Sequence, residues 1–112
     1  MFVDGGDACE GTGFSDATDP RCSLVLQGLS NLSIDVTTIG NHDLGDAGTV
    51  NYFLENKDAL FGDRFVTTNT FFNDKTMGNE YKYQVLDNGL RVLIFGFLYM
   101  ANNDYHGAEV RN

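Results

Sequence analysis

The stretch "RCSLVLQGLSNLSIDVTTIG", residues 21–40, changes period halfway along, and that change most constrains the fold. Leu24, Val25, Gly28, Leu29 and Leu32 recur at helical spacing, which predicts an amphipathic helix. Ile34, Val36, Thr37, Thr38 and Ile39 then favour extended backbone as far as Gly40. Residues 1–4 read as the tail of another strand, which enters a Gly-rich loop from Gly5 to Pro20. Loops longer than about 12–15 residues are uncommon unless they are functional. A strand, a crossover helix and a second strand make a right-handed βαβ unit with parallel strands.

The pattern continues down the chain. Residues 45–62 predict a second helix, with Val50, Phe53, Leu54 and Phe61 on one face and Gly62 as its stop. Residues 64–72, "RFVTTNTFF", read as a third strand. Residues 80–100 read as a hairpin: Tyr81, Tyr83 and Val85 alternate, a turn follows at Asp87-Asn88-Gly89-Leu90, and an apolar strand returns. The polar tail "NNDYHGAEVRN" has no clear element. Strands alternating with helices predict an α/β fold with a mainly parallel sheet and a C-terminal hairpin. A chain of 112 residues is enough for one core.

Sixteen acidic residues against seven basic give a formal charge of -9. Phosphate backbones need clustered Lys and Arg, so nucleic acid is not the expected partner, nor is an anionic membrane surface. No apolar run approaches the ~20 residues of a membrane span. No signal peptide is visible at the start, and compartment is left open. Cys9 and Cys22 have neither zinc spacing nor a disulfide framework; they read as free thiols, with a single disulfide as the alternative.

Ligands collect at the carboxyl ends of parallel strands, so the loops after residues 1–4 and 34–39 should lie side by side. Gly5, Gly6 and Gly40 would let the backbone turn sharply there. Asp7 and Asn41 offer oxygen ligands suited to hard or borderline divalent metals. Two such ions about 3.5–4 Å apart clamp a phosphate and activate water. His42 could then protonate the leaving oxygen if a carboxylate holds its other ring nitrogen, and Glu10 is the candidate.

"GDACE" at 6–10 and "GNHD" at 40–43 resemble the Gly-Asp-x-x-Asp/Glu and Gly-Asn-His-Asp/Glu motifs of calcineurin-like metallophosphoesterases. More narrowly, "DGGDACEGTGFSDATDP", "TIGNHDL" and "FGFLYMANND" look like the fungal branch related to 5'-nucleotidases. The resemblance implies a sandwich fold and a site holding two divalent metal ions, manganese, iron or zinc. It implies that Asp7 and Asn41 are metal ligands, that His42 is catalytic and that Glu10 orients it. Asp43, Gly40 and Gly6 would support the loops. The implied substrate is a phosphate ester or nucleotide.

The same family carries an Asp-x-His motif earlier and a Gly-His-x-His motif later, and neither is in this sequence. His106, in "NDYHGAEV", matches no ligand motif and reads as a solvated loop residue. Residues 1–112 therefore read as one partial phosphoesterase domain, the fragment of a two-metal enzyme. The alternative is a catalytically inactive binding module, or a truncated gene product. A half-sandwich would expose apolar sheet, so self-association is also expected.

Overall fold

In the computed structural model, which describes residues 1–99 and 104–112, the two expected loops do meet at one end of neighbouring extended segments. Val3 and Val36 form a parallel bridge, and the Asp4 N–H donates to the Val36 carbonyl at 2.9 Å. Thr37 bridges Phe65 in the same sense, with the Thr37 N–H on the Arg64 carbonyl at 2.8 Å. The chain therefore leaves residues 1–4 and residues 34–39 in the same direction, which delivers both following loops to one end.

Among the described residues the parallel pairing goes no further than isolated bridges, and the expected mainly parallel sheet is not formed. Both multistranded sheets are antiparallel. Strands β1 (Thr70–Phe72), β2 (Lys75–Thr76) and β5 (Ala108–Val110) make a three-stranded sheet in the order β2-β1-β5. Strands β3 (Lys82–Val85) and β4 (Arg91–Ile94) make the hairpin, with Tyr83 opposite Leu93. One physical reason is Gly6: at φ 79° it turns the first segment out of extended backbone soon after Val3, so the ladder with Val36 ends after one bridge. The predicted strand at 64–72 is likewise split, bridging at Phe65 and Val66 before β1 starts at Thr70. The tail that showed no element supplies β5. The continuation of the apolar stretch to Met100, and the "ANN" portion of "FGFLYMANND", lie outside the described residues.

Both predicted long helices form. Helix α2 (Ser23–Ser30) buries Leu26, and α3 (Ala47–Leu60) buries Val50 and Phe53. Asp46 caps α3 by accepting the Thr49 N–H at 3.0 Å. Gly62, in the left-handed region at φ 56°, releases the chain just past its end. A short α1 (Gly13–Asp16) sits inside the long loop, where Thr12 and Ser15 form a reciprocal capping box. Phe53, Phe61 and Phe65 form the aromatic centre of the core, with Phe53 and Phe65 stacked at 5.5 Å between ring centroids. Arg64 gathers the helix ends: its guanidinium donates to the carbonyls of Ser30 and Leu60, at 3.3 and 2.8 Å.

The hairpin wears its pattern inside out. Lys82 and Gln84 face the body and donate to Asp35, through its carbonyl at 3.0 Å and its carboxylate at 3.1 Å. Tyr81, Tyr83, Val85, Leu93, Phe95 and Phe97 are at least half exposed on the other face. An apolar stripe of that size is abnormal for the outside of a monomer.

Candidate functional site

Asp43 builds the site from below. Its side chain is buried, and it accepts three backbone N–H groups. Oδ2 takes those of Asp7 and Gly40, both at 2.8 Å, and Oδ1 takes that of Cys9 at 2.9 Å. One carboxylate thus ties residues 7–9 to residues 40–43. Burial pushes the Asp43 carboxyl above the usual carboxylate range, against the three N–H donors that favour its charged form.

Two glycines make the close approach possible. A side chain at Gly40 would overlap the Asp7 carboxyl group, and one at Gly6 would sit 2.6 Å from the Gly40 nitrogen. Gly6 and Asp7 both have positive φ, 79° and 58°. The tight packing turns the Asp7 side chain back over the second loop, where its Oδ1 accepts the His42 N–H at 3.0 Å.

Residues 41–45 form a tight turn, with Leu44 N–H on the Asn41 carbonyl and Gly45 N–H on the His42 carbonyl. Leu44 is fully buried and anchors the turn, while Asn41 and His42 stay exposed. The His42 ring meets Glu10: Nδ1 and the Glu10 Oε2 lie 2.8 Å apart. Glu10 also has a positive φ, 85°, which swings its side chain toward the turn. The Glu10 hydrogen bond and charge, with Asp7 behind them, hold the His42 imidazole above its ordinary pKa.

All four expected side chains belong to these two loops: Asp7 and Glu10 contact His42, and Asn41 precedes it in the turn. Two placements go beyond the sequence reading. Cys9 and Cys22 form the disulfide that stood as the alternative to free thiols, buried at both ends. The left-handed turns around Cys9 fold its loop onto the start of α2, an apposition that a spacing of 13 does not reveal. His106 also arrives here. Pairing of β5 with β1 brings it back, and its Nε2 lies 3.3 Å from the Gly45 carbonyl. Its only sequence signal is being the second histidine of two.

The donor set fits one side of a metal centre and does not complete it. Asp7 and Asn41 offer a carboxylate and an amide oxygen. Among the described residues, no three His, Cys, Asp or Glu side chains converge as a metal ion would require.

No family model matches the chain. Its relatives are fungal. An uncharacterized protein of Schizosaccharomyces pombe is 33% identical over 98% of this chain and 19% of its own length. A protein described as secreted, from Arthroderma benhamiae, is 31% identical over 88% of this chain and 16% of its own. Among solved structures, the 5'-nucleotidase of Candida albicans superposes with a TM-score of 0.86 at 30% identity, covering 97% of this chain and 22% of that one. The fold described above is therefore similar to a segment of a 5'-nucleotidase. The chain spans about a fifth of the length of these proteins.

Proposed function

We propose that residues 1–112 are part of a metal-dependent phosphoesterase of the calcineurin-like family, acting on phosphate esters of the nucleotide type. In this reading the chain is one portion of a larger catalytic domain. The observation that carries it is the His42–Glu10 pair at 2.8 Å, held beside Asp7 by the His42 N–H. The likeness to a 5'-nucleotidase at 30% identity supports the same reading.

The chain's own residues would handle the proton. Glu10 fixes the ring by accepting from Nδ1, which leaves Nε2 to carry the exchangeable proton. The protonated ring, favoured by Glu10, would give that proton to the leaving oxygen of a phosphate ester. Asp7 and Asn41 would each contribute one oxygen to divalent cations, manganese, iron or zinc, with the remaining donors supplied by other residues. Such cations, when bound, would supply an activated water and neutralise phosphoryl charge.

Proton transfer by a positioned side chain is worth about 10²–10⁴-fold, whereas phosphate monoester hydrolysis calls for enhancements reaching ~10²¹. Residues 1–112 alone should therefore show no measurable turnover of an aryl phosphate diester or a nucleoside monophosphate with manganese, zinc or magnesium. Metal-dependent turnover abolished by His42→Ala would mean that the site is complete within this chain. Binding tests the assignment itself. Inorganic phosphate with Mg²⁺ present should shift the amide resonances of Gly40, Asn41 and His42, and His42→Ala should weaken it. Shifts centred away from residues 40–42, or unchanged in His42→Ala, would refute the phosphoesterase reading.

The incomplete donor set favours a second reading, a binding module without catalysis. It predicts that phosphate binding, if present, does not depend on metal or on His42.

A further inference from the structure

The segment that carries Asp7 and Glu10 has little to hold it. Gly6, Asp7, Glu10 and Gly11 all have positive φ, and for Asp and Glu side chains that backbone is seldom adopted. Among the described residues, residues 5–11 donate no backbone hydrogen bond to another backbone group. Their polar anchors are side chains: the Asp43 carboxylate takes the N–H of Asp7 and of Cys9, Asp16 takes that of Gly11 at 3.2 Å, and the Asp7 and Glu10 carboxylates reach the N–H and the ring of exposed His42.

The remaining anchor is covalent. Cys9 stands between Asp7 and Glu10 and is joined to Cys22. Cys22 is itself fixed: its N–H donates to the Ser15 carbonyl at 2.8 Å, and its carbonyl accepts the Leu26 N–H at the start of α2. Both cysteines lie in the core cluster with Leu26 and Leu44, the residue that anchors the His42 turn. The disulfide therefore links the loop bearing Asp7 and Glu10 to the helix beneath it, at the point where the backbone is least favourable.

We infer that the Cys9–Cys22 disulfide is a positioning device for the site: the segment holds its left-handed turns, and so presents Asp7 and Glu10 to His42, only when the chain is oxidised. This rests on the reading of Asp7 and Glu10 as site residues. Release would be a two-electron thiol–disulfide exchange with a dithiol reductant. One reductant thiolate attacks a sulfur of the pair, and its second thiol resolves the mixed disulfide. Cys9 and Cys22 end as two thiols, each with a proton, and the reductant leaves as its own disulfide. Burial of both sulfurs means the exchange waits on opening of the loop, so the oxidised site is durable once made. The device suits a protein that works in an oxidising compartment.

The test is residue-resolved hydrogen exchange on the whole chain, oxidised and as Cys9→Ala/Cys22→Ala, with the wild type reduced in place as a second route to the same state. The amides of Asp7 and Cys9 should lose at least tenfold protection, while those of Val50 and Phe53 in α3 hold theirs. Manganese, a hard ion that the freed thiols do not favour, should bind the Asp7 side more weakly in step. Unchanged exchange at Asp7 and Cys9 would overturn the inference. Equal loss in α3 would overturn it as well, because the bond would then serve general stability. If the Asp7 and Cys9 amides respond but no divalent ion binds even the oxidised chain, the positioning role stands and the metal reading falls.

Discussion

Replacing Asp43 with alanine removes the one group that joins the two site loops. Three buried or half-buried N–H donors, on Asp7, Cys9 and Gly40, lose their acceptor at once. A buried donor left unpaired costs about 1–3 kcal/mol, so the unrelaxed sum is about 3–9 kcal/mol. Water can reach Asp7, which is exposed, and relieve part of it. We therefore expect a loss of about 3–5 kcal/mol, a large share of the 5–15 kcal/mol that holds a typical domain. Asp43→Asn should cost less, about 2 kcal/mol, because its amide oxygen can keep the two donors on Oδ2 while its NH₂ opposes the Cys9 N–H. The assay is urea unfolding followed by circular dichroism, with the m-value checked for constancy. A cost for Asp43→Ala below about 0.5 kcal/mol, the range of an unconnected surface substitution, would refute the reasoning.

Other consequences follow from the same geometry. Glu10→Gln should lower the His42 ring pKa toward its ordinary 6.5, read by proton NMR titration, because the carboxylate that favours the charged ring is gone. The folded value is raised, so this pair's contribution to stability is full below the unfolded value, and it fades as pH climbs through the folded one. A wild-type stability curve without that decline, or one that Glu10→Gln leaves unchanged, would contradict the pairing. Gly40→Ala should cost about 3 kcal/mol by overpacking against the Asp7 carboxyl group, measured by thermal unfolding. The outer face of the hairpin should drive concentration-dependent self-association and bind an apolar dye, and Leu93→Glu with Phe95→Glu should abolish both. Light scattering that finds a monodisperse monomer without dye binding would count against it.

Helix α3 was legible because its apolar spacing agreed with its stop at Gly62, whereas for α2 the spacing gave the helix but not its face: Leu24 and Leu32 are exposed and Leu26 is buried. The hairpin was legible for a similar reason, since Gly89 sits in the left-handed region of the turn and alternation marks both arms. The alternation did not tell which face would point outward, because Lys82 and Gln84 find partners on Asp35 that only tertiary structure supplies. The β-branched runs gave the direction of the chain but not its pairing. Isolated bridges of Val36 to Val3 and of Thr37 to Phe65 satisfy them, and antiparallel partners come from segments as distant as Ala108–Val110. At the site, motif residues were visible one by one. Asp43 was read as a support, but nothing local shows that it takes N–H groups from more than 30 positions away. The choice of disulfide over free thiols, and the arrival of His106 beside Gly45, were not legible for the same reason: both depend on where loops land.

The proposal that Asp7 and Asn41 contribute oxygens to a cation-binding site is tested most directly by paramagnetic broadening. Manganese titrated into isotopically labelled chain should broaden the amide resonances of Asp7, Asn41 and His42 first, and Asp7→Asn should remove that preference. With sixteen acidic residues on the chain, the contrary result is well defined. Broadening spread over the acidic surface, or centred away from these two loops and unaffected by Asp7→Asn, would show that the loops meet for some purpose other than holding a metal.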